Sequence, residues 1–109
     1  MRALDGAGED LFTELSAMFL DRSHALLAKL RQGFATGDHA AIMQCAHSLG
    51  GGASNVGAQR MSRLSKQIEL LTSRGKILDS REKMAELETE FQLVEKELAR
   101  IAELPPGPE

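Results

Sequence analysis

The chain has 109 residues, 42% hydrophobic and 27% charged, a size and composition that fit one globular domain with a single core. A net charge of −3, a pI near 5.6 and the absence of Trp and Tyr leave neither a basic field for nucleic acid nor an aromatic platform for stacking bases. The single cysteine, Cys45, excludes an intrachain disulfide, and neither a signal-peptide run at Met1 to Asp10 nor a stretch of transmembrane length is present. A cytoplasmic setting without membrane insertion is the default expectation.

Four amphipathic helices are predicted, and no strand alternation competes with them. After a flexible N-terminus at 1–8, Glu9 to Ala35 carries Leu11, Phe12, Leu15, Met18, Phe19, Leu26, Leu27, Leu30 and Phe34. The rhythm weakens at Asp21-Arg22-Ser23-His24, which predicts a short leading helix joined to a longer one, or one helix bent there. Gly37 suits a left-handed stop and Asp38 an N-cap. The second helix, to about Val56, places Ile42, Cys45, Ala46, Leu49, Ala53 and Val56 on one buried face, and Gly57 ends it. The third runs from about Ala58 to Ser73 with Met61, Leu64, Ile68 and Leu71 on one side and Gly75 as its stop. The fourth starts near Asp79, where Asp79 to Glu82 has the form of a capping box, and continues through Met84, Leu87, Phe91, Val94, Leu98 and Ile101. Leu104 to Pro108 cannot continue that helix, so the bundle is expected over 9–104 with a flexible tail at 105–109. Short connections make neighbours antiparallel. The expected fold class is all-α: an antiparallel four-helix bundle with a short or bent leading N-terminal helix.

The second helix also holds an unusual local pattern, Ala46-His47-Ser48-Leu49-Gly50-Gly51-Gly52-Ala53-Ser54. At about 100° per residue, His47 points roughly 140° away from the buried stripe, with Gly50, Gly51 and Ser54 expected on the same outward face. Each glycine inside a helix costs on the order of 1 kcal/mol relative to alanine. Clearing side chains from around the imidazole, so that a partner's surface can come close, explains the run better than stability does. A neutral imidazole is a competent nucleophile near pH 7. On the third helix Ser62, Lys66, Glu69 and Ser73 share a face that could flank it. No second His or Cys stands one turn from His47, so no metal site is expected. Gly50-Gly51-Gly52 lacks the Gly-Lys-Ser/Thr of a phosphate-binding loop, which argues against autonomous kinase activity. His-Ser-Leu-Gly-Gly-Gly faintly resembles a hydrolase oxyanion loop, but no Gly-x-Ser-x-Gly elbow accompanies it. His24 and His39 stand in no constellation, and Cys45 is expected in the core.

Residues His47 to Ala58, His-Ser-Leu-Gly-Gly-Gly-Ala-Ser-Asn-Val-Gly-Ala, resemble the signature of histidine-containing phosphotransfer (HPt) domains, roughly His-x-Leu-Lys-Gly-Ser-x-x-x-Leu-Gly-Ala. The small residue before His47, the Leu two after it, the Gly four after it and the late Gly-Ala pair match. The resemblance implies a phosphocarrier of a two-component multistep phosphorelay, with His47 as phosphoryl acceptor. Its partners would be response-regulator receiver domains, met as a free monomeric protein or inside a hybrid sensor kinase tethered at a membrane. No cofactor is then bound by this chain, and Mg²⁺ sits on the receiver. The family's Gln or Glu on the next helix, which orients the imidazole, corresponds to Glu69. The family's Lys three residues after the histidine is replaced by Gly50, and Lys66 is the candidate substitute for its charge. Docking is expected on Met43, Gln44, Gly50, Gly51 and Ser54, with Leu11 and Phe12 from the leading helix.

Two other readings of the same residues remain. A degenerate relative would be a helical interaction domain that docks partners without phosphotransfer, an idea that Gly50 favours. An enzyme using His47 as general base lacks a partnered constellation.

Overall fold

The computed structural model describes residues 2–103, with side chains from 11 to 101. It contains α1 (Arg2–Thr36), α2 (His39–Asn55), α3 (Gln59–Ser73) and α4 (Ile77–Glu103). The tail expected at 105–109 lies outside the described residues. No described helix is long and apolar enough to cross a membrane.

Each connection begins with glycine chemistry. Gly37, Gly57 and Gly75 have φ of 71°, 82° and 76°, a left-handed conformation that costs other residues roughly 1–2 kcal/mol. After α3, Gly75 N–H donates to the Thr72 carbonyl at 3.0 Å and Lys76 N–H to the Leu71 carbonyl at 2.9 Å. After α2, Gly57 donates to Ser54 at 3.1 Å and Ala58 to Ala53 at 2.8 Å. Both are Schellman closures, which satisfy the helix's last carbonyls and reverse the chain at once. The next helices follow within two or three residues, so sequential neighbours are antiparallel.

Inter-helix contacts fix the register. Phe19 lies beside Gly52 and Ile42 beside Gly33, joining α1 to α2. His47 meets Glu69 and Gly50 meets Ser62 between α2 and α3, and Thr72 meets Ser80 between α3 and α4. His24 with Glu95 and Arg31 with Glu88 close the ring between α1 and α4. Arg60 with Glu90 adds a second contact between α3 and α4, so for each pair of helices the numbers rise on one as they fall on the other, and all four pairings are antiparallel. The core they enclose contains Leu27, Leu30, Ile42, Leu49, Met61, Ile68 and Leu87, each less than 2% exposed. Ala46 and Ala53 are also fully buried and keep α2 close to its neighbours.

Three expectations are corrected. α1 starts at Arg2, not near Glu9, and runs unbroken through Asp21–His24. The weak rhythm there has a physical cause. Ser23 is buried and continues the core stripe Phe19, Ser23, Leu27, Leu30 and Phe34. His24 packs edge-on against Phe91, with ring centres 4.9 Å apart. α4 starts at Ile77, so Asp79 to Glu82 is no capping box. Ser80 N–H already donates to the Lys76 carbonyl at 3.0 Å, and the Ser80 hydroxyl is buried against Thr72 at 2.8 Å. Val56, expected on the buried face, caps α2 and is exposed.

Asp38 does cap α2, its Oδ1 accepting from Ala41 N–H at 3.1 Å. Replacing it with alanine leaves that donor without its partner and should lower unfolding stability by about 1 kcal/mol. Urea denaturation of Asp38→Ala checks this, and an unchanged midpoint would show that the cap contributes nothing.

Candidate functional site

His47 stands at the middle of α2 with its side chain 78% exposed. The core stripe of Ile42, Ala46, Leu49 and Ala53 pins the opposite side of the helix, so the imidazole projects outward by the rotation that the periodicity predicts. Its Nδ1 lies 3.3 Å from Oε1 of Glu69 on α3, at the long end of hydrogen-bond range. With the proton on Nδ1 donated to that carboxylate, Nε2 carries the free lone pair, on a side chain that is largely exposed. Glu69 is only one-third exposed, held in place on the flank of α3 that faces α2. The pairing inferred from the resemblance is thus present in the geometry.

The three glycines after His47 face three different ways. Gly51, one turn along from His47, has open space where a Cβ would stand, with nothing within 4 Å. It leaves the imidazole bare on that side. Gly52 turns toward α1, where a Cβ would lie 3.8 Å from the Phe19 ring. Gly50 is buried, not outward as expected. A Cβ there would meet Ser65 Cβ at 3.5 Å, Lys66 Cγ at 3.6 Å and the Ser62 carbonyl oxygen at 3.6 Å. The Ser62 hydroxyl in turn donates to the Gly50 carbonyl at 3.1 Å. Gly50 therefore belongs to the α2–α3 seam and not to an open docking face.

Among the other expected docking residues, Gln44 and Ser54 are exposed and Met43 is half-buried; Met43 and Ser54 fall on the His47 side by helical spacing. Leu11 and Phe12 are exposed but not near the histidine. The Phe19–Gly52 register puts them past the end of α2, on the order of 20 Å along α1 from the level of His47. An apolar surface that does reach the turn of the histidine was missed. Leu15, Met18, Phe19, Leu26, Gly52 and Val56 line a groove of about 550 Å³ between α1 and α2, with Ser48, next to His47, on its wall. The signal was present in the spacing. Leu11, Leu15 and Met18 form a stripe of their own, offset from the core stripe, and an exposed second stripe marks a surface for contact.

His47 therefore has a polar edge of Glu69 and Lys66 toward α3, while toward α1 Ser48 stands between the largely apolar groove and a second cleft lined by Lys29, Gln32 and Gln44. Cys45 is buried, and burial pushes its thiol up from the ordinary range, as suits a core residue. Among the described residues no group of His, Cys, Asp or Glu is arranged to hold a metal ion.

Comparisons with known proteins agree with this geometry. The family model described as Hpt domain matches residues 14–103. The crystal structure of histidine-containing phosphotransfer protein B (HptB) from Pseudomonas aeruginosa PAO1 superposes with a TM-score of 0.83 at 28% identity, covering 93% of this chain and 88% of that one. No curated protein matches the sequence.

Proposed function

Because the chain belongs to the Hpt domain family, we propose that it is a phosphocarrier in which His47 exchanges a phosphoryl group with an aspartate of a receiver domain. The observation that carries this reading is the exposed imidazole oriented by Glu69 at 3.3 Å, beside a glycine with open space above it. In the forward direction Nε2 attacks the phosphorus of an aspartyl phosphate. The Nε2–P bond forms, the P–O bond to the aspartate breaks, and that carboxylate leaves with the electron pair. The Nδ1 proton remains on the ring, and Glu69 stabilises the positive charge that develops there. The receiver brings its own Mg²⁺, which suits a loose, charge-rich transition state. The apolar groove between α1 and α2 supplies contact area for a transient complex.

Receiver domains charged with acetyl phosphate and then incubated with this chain provide the test. The expected result is loss of label from the receiver and gain of a base-stable, acid-labile phosphate on this chain. Receivers that bind it but never hand over phosphate would instead support an interaction domain without phosphotransfer.

A further inference from the structure

The contact between Gly50 and Lys66 deepens that reading, and rests on it for the identity of the reacting group. Positions on the α2–α3 seam pair in steps of one turn: His47 with Glu69, then Gly50 with Lys66. Where a Gly50 side chain would begin, the stem of Lys66 already lies, its Cγ 3.6 Å from that point. The gap would admit a methyl group, but a longer side chain at residue 50 would contend with the lysine for the same space. Lys66 is exposed and, among the described ion pairs, joins no carboxylate. Glu69, its neighbour one turn on, is directed to the imidazole. Residues one turn apart on a helix have Cβ atoms roughly 5–6 Å apart, within the reach of a lysine side chain. The ammonium can thus be brought to a phosphoryl group on Nε2.

We propose that Lys66, reaching across the helix seam over Gly50, is the cation that receives the phosphoryl group at His47, and that the bare position 50 exists to admit it. A group bearing close to two negative charges arrives beside a carboxylate that is already committed to Nδ1. Without a nearby cation that approach is repelled. Lysine acts here as a mobile point charge, not a planar fork, so arginine can replace it for attraction. A lysine placed at residue 50 would project from the same spot and could serve in its stead. Because the cation arrives from α3, it leaves the largely apolar groove between α1 and α2 clear for docking.

The test labels the full chain with phosphoramidate, a small anionic donor that needs no protein partner. In that reaction Nε2–P forms as the donor's P–N bond breaks and ammonia leaves. The initial rate should fall roughly three- to tenfold in Lys66→Met, a gap that closes as salt is raised. Methionine keeps an apolar stem over Gly50, so packing is retained while the charge is lost. Lys66→Arg should label at the parent rate, and Lys66→Ala with Gly50→Lys, in which the stem over residue 50 is gone, should regain most of what Lys66→Ala loses. A Lys66→Met chain that labels like the parent, or one slowed equally at every salt concentration, would overturn the assignment. A double variant no faster than Lys66→Ala would overturn the claim that the two positions share one place. Failure of the carrier reading looks different: phosphoramidate labels His47 in the parent while charged receivers do not.

Discussion

A His47→Gln chain is expected to take no phosphate from any receiver, a loss limited only by detection, while unfolding at the same temperature as its parent. Both halves follow from the position of the side chain. The imidazole is 78% exposed, makes its side-chain hydrogen bond to Glu69, and is not among the residues of the core. Surface substitutions of that kind usually change stability by about 0.5 kcal/mol or less. Glutamine is a sound helix former and its amide can still donate to the Glu69 carboxylate, so the seam with α3 is preserved. What it lacks is a ring nitrogen with a free lone pair. A carboxamide is no nucleophile at neutral pH, so the chemistry stops while the scaffold stands. His24 and His39 are internal controls: His24 is engaged with Glu95 and Phe91, so neither its loss nor that of the exposed His39 should reduce labelling. Acid-labile phosphate persisting on folded His47→Gln would place the acceptor elsewhere and remove the basis of the carrier reading. Thermal melts run beside the transfer assay separate the two effects.

How much of this was legible beforehand depends on the kind of signal. Helical periodicity located α2 and α3 within a residue or two, because their apolar positions repeat without interruption and their glycine stops take positive φ. It failed where the core stripe passes through a small polar residue. Ser23 is as buried as a leucine would be, yet reads as a break. Ser80 similarly hides the first turn of α4, since its hydroxyl is satisfied by Thr72 and by the Ile68 carbonyl across the seam. Such pairings need partners from another helix, and one helix's sequence does not name them. The same limit applies to Gly50. Rotation about α2 puts residue 50 near the edge between outward and inward, and only the proximity of α3 decides which it is. The meeting of His47 and Glu69 was legible because it survives small errors of rotation. An exposed ring and a carboxylate one helix away still meet.

The sharpest separation of stability from function is expected at Gly51. Nothing lies within 4 Å of a Cβ placed there, and the residue is exposed in the middle of a helix. Gly51→Leu therefore starts its side chain in open space and improves helix propensity, which should raise unfolding stability by about 0.5–1 kcal/mol. A helical side chain leans toward the N-terminus and covers the turn before its own Cα, so this leucine would lie over His47. A receiver must bring its phosphorus to roughly 3–3.5 Å from Nε2 and in line, and a misplacement of about 1 Å can cost on the order of a hundredfold. Transfer from a charged receiver to Gly51→Leu should accordingly fall about a hundredfold or more. Labelling by phosphoramidate, which needs far less clearance, should fall much less. Gly51→Ala should show a similar gain in stability with a smaller loss of transfer, because a methyl group reaches only part of the way across the turn. Urea midpoints and transfer rates on the same preparations decide the matter: a stabilised Gly51→Leu that still exchanges phosphate with receivers at the parent rate would mean that the bare ground beside His47 has no part in docking.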